Sequence, residues 1–275
     1  MKKIRLEKVK NIKISINNAE FNCRVLGNGT KKIIAFHGFG QDSRAFLPLI
    51  FARPEYTVYA FDLPFHGDTT ISDPSKCLTP NDITDLIQKL DTLVDLDRFS
   101  LIGFSIGAKL LFPVLDQWSS RVDTVWLLAP DGIKLNWWYQ IATATYFMRW
   151  IFRSLLSKPN TLKRFANGLN RLWLIDNRTL KFALSAINSE VNRGRIADCW
   201  IYLRKLKMND KVLAEKVNRN KIELYFALGE KDTIISKDTL SPLRKKIDHS
   251  KTIILDAGHQ NLIGNFAAWF AKNSN

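Results

Sequence analysis

Ser105 lies between two close glycines, in Gly103-Phe104-Ser105-Ile106-Gly107, where an apolar run from Phe99 to Phe104 gives way to residues that open a helix. Small residues two before and two after a serine let the chain reverse in a tight turn. The hydroxyl is then pushed out beyond the strand, beside the first free N–H groups of the helix. That is an arrangement for attacking a carbonyl carbon. A hydroxyl is a weak nucleophile at its ordinary pKa and needs a neighbouring base. An imidazole suits that role, and a carboxylate behind it fixes the imidazole's tautomer. Candidate histidines are His37, His66 and His259, and candidate carboxylates are Asp62, Asp131 and Asp232. A five-residue motif is short enough to arise by chance, so its weight depends on where these partners fall.

The elements that must position them follow from hydropathy. Ile12 to Ile16 alternates with a period of two, Asn17-Asn18 offers a turn, and Glu20 to Leu26 follows, which predicts an antiparallel hairpin. Lys32–Phe36, Tyr56–Phe61, Phe99–Phe104, Thr124–Leu128, Lys221–Leu228 and Thr252–Leu255 are short apolar runs suited to strands buried on both faces. Helical periods stand between them. Asp42 or Ser43 caps one that runs through Phe51. Thr79-Pro80 opens another, with Ile83, Leu86, Ile87, Leu90 and Leu93 on one stripe. Strand–helix alternation predicts an α/β fold with a mostly parallel sheet and helices on both faces. Each candidate residue then falls at the C-terminal end of a strand, the edge where open α/β sheets bind ligands.

From Gly132 the strand rhythm stops for about 80 residues. Asn136 to Leu156 reads as one helical stripe, and two further helices are expected over 159–174 and 179–206. The predicted organisation is a core of residues 1–132 and 213–275 interrupted by a helical insertion, 133–212. The 275 residues carry a net charge of +15. Between Ile133 and Lys221 there are 18 Lys and Arg against 5 Asp and Glu. So local an excess points to an anionic lipid surface or an acidic acyl substrate, alongside the plainer reading of a solvated basic face. Aromatic residues interleave with the charge, as in helices that lie in a membrane interface. No nucleic-acid-recognition motif accompanies them, so nucleic acid is not an expected partner.

Composition, at 46% hydrophobic and 24% charged, is that of a globular protein and excludes disorder and coiled coil. Three widely spaced cysteines, Cys23, Cys77 and Cys199, suggest neither a disulfide framework nor a metal site, and no cofactor is expected. The first residues lack the apolar centre of a signal peptide, and no stretch approaches the roughly 20 uncharged apolar residues of a membrane span. A cytoplasmic protein is expected, with peripheral membrane contact through the basic insertion.

His37-Gly38-Phe39-Gly40, Asp62-Leu63-Pro64-Phe65-His66-Gly67, Gly103-Phe104-Ser105-Ile106-Gly107, Gly229-Glu230-Lys231-Asp232 and Gly258-His259 stand in this order, each after a predicted strand. Together they resemble the α/β-hydrolase superfamily over essentially the whole chain. The resemblance implies a triad of Ser105 as nucleophile, Asp232 as acid and His259 as base, in the family's chain order. It implies an oxyanion hole formed by the backbone N–H groups of Phe39 and Ile106. Asp131 competes with Asp232, because some members take their acid from the preceding strand. His37, His66 and Asp62 correspond to positions that orient loops. Phe65 departs from the family's usual glycine, and Ala108-Lys109 from the usual Gly-Gly.

The insertion matches the family's cap, or lid. Trp137, Trp138, Phe147, Met148 and Trp150 are candidates to line an apolar substrate pocket under it. The activity implied is that of a serine esterase acting on a carboxylic ester with a medium or long acyl chain. Alternatives on the same scaffold are a thioesterase, a carbon–carbon bond hydrolase, a synthase resembling that of the menaquinone pathway, and a non-catalytic lipid-binding protein.

Overall fold

The computed structural model describes residues 10–133, 137–158, 190–235 and 237–273, together with 160, 161, 164 and 168. The expected hairpin forms from β1 (Lys10–Ile16) and β2 (Ala19–Leu26), turning at Asn17, whose φ of 42° is left-handed. Next come β3 (Lys31–Phe36), a short α1 (Leu47–Ala52), β4 (Tyr56–Phe61) and the two-residue β5 (Thr70–Ile71). After α2 (Pro80–Val94) come β6 (Phe99–Phe104), α3 (Ala108–Trp118) and β7 (Val122–Leu128). The described helices between β7 and β8 are α4 (Trp137–Ala144), α5 (Tyr146–Ser157), α6 (Glu190–Tyr202) and α7 (Asp210–Arg219). The chain closes with β8 (Glu223–Gly229), α8 (Lys237–Arg244), β9 (Lys251–Leu255) and α9 (Leu262–Lys272).

The strands make one sheet in the order β1-β2-β4-β3-β6-β7-β8-β9, with β5 beside β2. Pairing is antiparallel through β1, β2 and β4 and parallel from β4 to β9. Every residue of β4 and β6 is buried, which is why those segments read as unbroken apolar runs. Parallel pairing sends the C-terminal ends of six strands, β3, β4 and β6 to β9, to one edge. The segments holding His37, Asp62, Ser105, Asp131, Asp232 and His259 all start there.

Helices pack where their apolar stripes predict. In α2, Ile83, Leu86, Ile87 and Leu90 are buried, and Thr79 closes a capping box with Asp82. Leu93, expected on the same stripe, is 60% exposed, because it falls in the last turn as the helix leaves the core. The stripe expected over 136–156 is broken in two at Thr145. Its hydroxyl accepts the Met148 N–H and so starts α5 afresh. The helix α7, which straddles the boundary expected after residue 212, packs against α3 and buries Leu213, Ala214 and Val217 in the main core.

One buried carboxylate organises the loops at the sheet edge. Asp62, fully enclosed, accepts the N–H groups of Ser43 (2.7 Å) and Asp68 (2.9 Å) and the Asn22 side-chain amide (2.8 Å). Burial alone would raise its pKa, but these hydrogen bonds hold it below the ordinary carboxylate value. Replacing Asp62 by Ala strands those donors, so the expected loss is about 3 kcal/mol. Thermal denaturation should register it as a melting temperature lowered by roughly 6–12 °C. A shift under 2 °C would contradict the assignment of Asp62 as the loop organiser.

Candidate active site

The turn after β6 is built by its glycines. A Cβ at Gly103 would lie 2.7 Å from the Ala108 Cα, and one at Gly107 2.3 Å from the His37 carbonyl oxygen. No other residue fits at either place. Ser105 itself is left-handed, at φ 50°, a conformation that costs a non-glycine residue about 1–3 kcal/mol. Its carbonyl accepts the Asp131 N–H at 3.0 Å, which ties the turn to the segment after β7. The Ser105 side chain stands half-buried at the sheet edge, where α3 begins.

His259 comes to it from the turn after β9. His259 Nε2 is 3.1 Å from Ser105 Oγ, and Nδ1 is 2.7 Å from Asp232 Oδ2. A carboxylate only accepts, so Nδ1 carries the proton and Nε2 presents its lone pair to the serine hydroxyl. The other oxygen of Asp232 accepts the Ile234 and Ile235 N–H groups at 2.8 and 3.1 Å. Burial opposes ionisation of Asp232, whose side chain has no exposed surface. The hydrogen bond and charge of His259 and the two backbone donors nevertheless hold its pKa below the ordinary value. The Phe104 ring packs beside the imidazole, with centroids 4.9 Å apart.

Asp131, the competing carboxylate, is engaged elsewhere. Its Oδ2 pairs with the buried Lys109 Nζ at 2.8 Å, and its Oδ1 accepts the Gly132 N–H. Lys109 sits in the first turn of α3, so this ion pair fixes the start of the insertion to the serine turn. Sequence reasoning noted Lys109 only as a departure from Gly-Gly. A lysine on the inward face of an apolar helix was the available signal for a buried partner.

The loop after β3 carries Phe39. It closes on itself through Gln41, whose side chain accepts the Gly38 N–H and whose N–H reaches the Gly38 carbonyl. His66 Nε2 accepts the Gly40 N–H at 3.0 Å, and His37 Nε2 accepts the Leu63 N–H at 2.9 Å. Nδ1 of each ring faces a carbonyl, of Pro64 and Gly38 respectively, so both rings carry their proton there. Burial lowers both pKa values, that of His37 to about 4, and keeps the rings neutral acceptors. In the loops and caps of the described residues, the Phe39 N–H is not matched with a backbone carbonyl.

Of the pocket candidates, Phe147 and Trp150 are each 60% exposed and stack on each other with centroids 6.1 Å apart. On the same helix Leu156 is buried and Phe152 half-buried. Met148 is half-buried. Trp137 and Trp138 fall in the first turn of α4, and their side chains lie outside the described residues. The apolar cluster that does approach the site is Leu156 of α5 with Ile196 and Ala197 of α6, packed against Phe39, Phe152 and Trp200. The Phe152 and Trp200 rings stack at 5.9 Å. Sequence reasoning did not single these out, because the pairing of α5 with α6 is a contact about 40 positions apart that no periodicity reports.

A profile of the family described as "alpha/beta hydrolase fold" matches residues 32–266. An uncharacterized hydrolase of Saccharomyces cerevisiae is 22% identical over 250 residues, which cover 84% of this chain and 83% of that protein. The structure of a thermophilic esterase from Thermogutta terrifontis superposes with a TM-score of 0.66, 14% identical over 96% of each chain. Naproxen esterase from Bacillus subtilis superposes with a TM-score of 0.61, 15% identical over 96% of this chain and 90% of its own. At such identities the likeness to solved structures is one of fold. The family profile spans β3 to α9 and so takes in the serine turn, the acid turn and the histidine turn; the chain belongs to the alpha/beta hydrolase fold family.

Proposed function

We propose that the protein is a serine hydrolase that cleaves carboxylic esters through an acyl-enzyme on Ser105. The observation that carries the reading is the hydrogen-bonded chain from Ser105 Oγ through His259 to buried Asp232. In the first step His259 Nε2 takes the hydroxyl proton as Oγ bonds to the ester carbonyl carbon. The carbonyl electron pair moves onto oxygen, where the Ile106 and Phe39 N–H groups stabilise the oxyanion. Collapse expels the alkoxide, which leaves as the alcohol with the proton from His259. Water then repeats the sequence on the acyl-enzyme, returning the serine hydroxyl and releasing the acid. Asp232 holds the imidazole and stabilises its cation throughout.

The acyl side is supported by the cluster of Leu156, Ile196, Phe152 and Trp200 beside Phe39. A donor loop that packs on apolar side chains suits a medium or long hydrocarbon chain next to the reacting carbonyl. A serine at the turn disfavours reactions that pass through an alkyl ester of an enzyme carboxylate, for which position 105 would need Asp.

Two outcomes are expected. A fluorophosphonate probe should label the wild type and leave Ser105→Ala unlabelled. The same variant should lose at least roughly 10³-fold in kcat/KM across p-nitrophenyl esters. Equal labelling of both proteins would overturn the reading, and a parallel thioester series separates esterase from thioesterase.

The second outcome concerns pH. Asp232 is held below the ordinary carboxylate value, so it stays ionised as pH falls toward the ordinary carboxylate range. Protonation of Asp232 should therefore cause no loss of kcat/KM above about pH 4. Asp232→Asn should lower kcat by roughly 10⁴-fold by offering the wrong tautomer partner. A loss under tenfold would remove Asp232 from the proposal.

A further inference from the structure

Four large hydrophobic residues stand exposed within ten positions of the α4–α5 pair: Ile141 (51%), Tyr146 (81%), Phe147 (60%) and Trp150 (60%). Elsewhere among the described residues the exposed large hydrophobics, Phe51, Leu93 and Ile254, are scattered singly. A surface helix ordinarily carries apolar residues on the face it buries and polar ones outside. The helix α5 buries Leu156 and half-buries Phe152, and still presents Tyr146, Phe147 and Trp150 on its outer side. Contiguous apolar surface of this kind marks a contact site. Tyrosine and tryptophan, each with an apolar body and a polar tip, favour a boundary between water and hydrocarbon.

Charge identifies the partner. Residues 134–175 contain seven Lys and Arg and no Asp or Glu. Arg149, beside the patch, spends its hydrogen bonds on the Thr143 and Ala144 carbonyls and so keeps its positive charge. Lys158, one residue past α5, is exposed. Arg153 is compensated by Asp198 at 2.8 Å. A second copy of the chain on this face would bring two acid-free basic segments together. An anionic lipid surface meets both features, hydrocarbon under the rings and negative charge around them.

We propose that the outer face of α4 and α5, centred on Phe147 and Trp150, docks onto the surface of an anionic phospholipid bilayer. No helix among the described residues is long and apolar enough to cross a membrane, so the contact is one of lying on the surface. The inference stands independently of the proposed hydrolysis, since neither Phe147 nor Trp150 belongs to the machinery assigned to it.

The test is co-sedimentation of the full chain with vesicles of phosphatidylcholine alone or mixed with phosphatidylglycerol. The expected result is at least ~10-fold more protein bound to the anionic vesicles, with release as salt rises. The double variant Phe147→Ser/Trp150→Ser should lose ~10-fold in binding while its circular dichroism spectrum is unchanged. Lys158→Glu, a surface change, should weaken binding without altering the spectrum. Equal binding to both vesicle types, absence of binding, or wild-type binding by the double variant would each overturn the proposal. So would a concentration-dependent dimer, measured by light scattering, that the double variant abolishes.

Discussion

The contact between the serine turn and the loop after β3 is the constraint on which the rest depends. At Gly107 the backbone presses so close to the Phe36 and His37 carbonyls that no side chain fits. This closeness brings two segments far apart in sequence to one point on the sheet edge. One ends β6 with Ser105 and continues into Ile106; the other leaves β3 through Gly38 to Phe39. The strain at Ser105 persists because β6, α3 and the Asp131 N–H fix the residues around it, and strain held this way is typical of reactive positions.

Around this contact the protein divides protonation states by task. His37 and His66 are buried as neutral rings and accept backbone N–H groups of neighbouring loops. Asp62 stays charged because backbone and amide donors converge on it. Asp232 stays charged for the same reason, with an imidazole added. Neutral acceptors therefore shape the loop that carries Phe39, and anions organise the Asp62 loops and orient His259. Burial alone would discharge all four groups, so hydrogen bonding decides which of them remain ionised.

Much of this was legible in sequence, for identifiable reasons. Strands buried on both faces, such as Tyr56–Phe61 and Phe99–Phe104, read as unbroken apolar runs, and parallel pairing turns their order into a shared edge. That Ser105, Asp232 and His259 would meet follows from their positions just past the parallel strands β6, β8 and β9. Less legible was anything set by a single side chain. The hydroxyl of Thr145 ends one helix and starts another, which divides a stripe that reads as continuous in sequence. The pairing of Lys109 with Asp131 depends on a three-dimensional neighbour that no periodicity reports. Phe65 shows the same limit. Its φ of 65° is a glycine conformation, and its ring lies edge-on to Tyr202 at 5.5 Å, a contact 137 positions away in sequence.

That contact belongs to the far root of the insertion. Near its start Asp131 is held by Lys109; at its end Tyr202 meets Phe65, its carbonyl accepts the Leu78 N–H, and Leu203 and Leu206 are buried in the main core. Between the clamps the described helices stand outside the sheet's strand pairing and meet its edge where Leu156, Ile196 and Ala197 pack against Phe39. Two clamps and one apolar contact thus hold the described helices between β7 and β8 against the loops at the sheet edge.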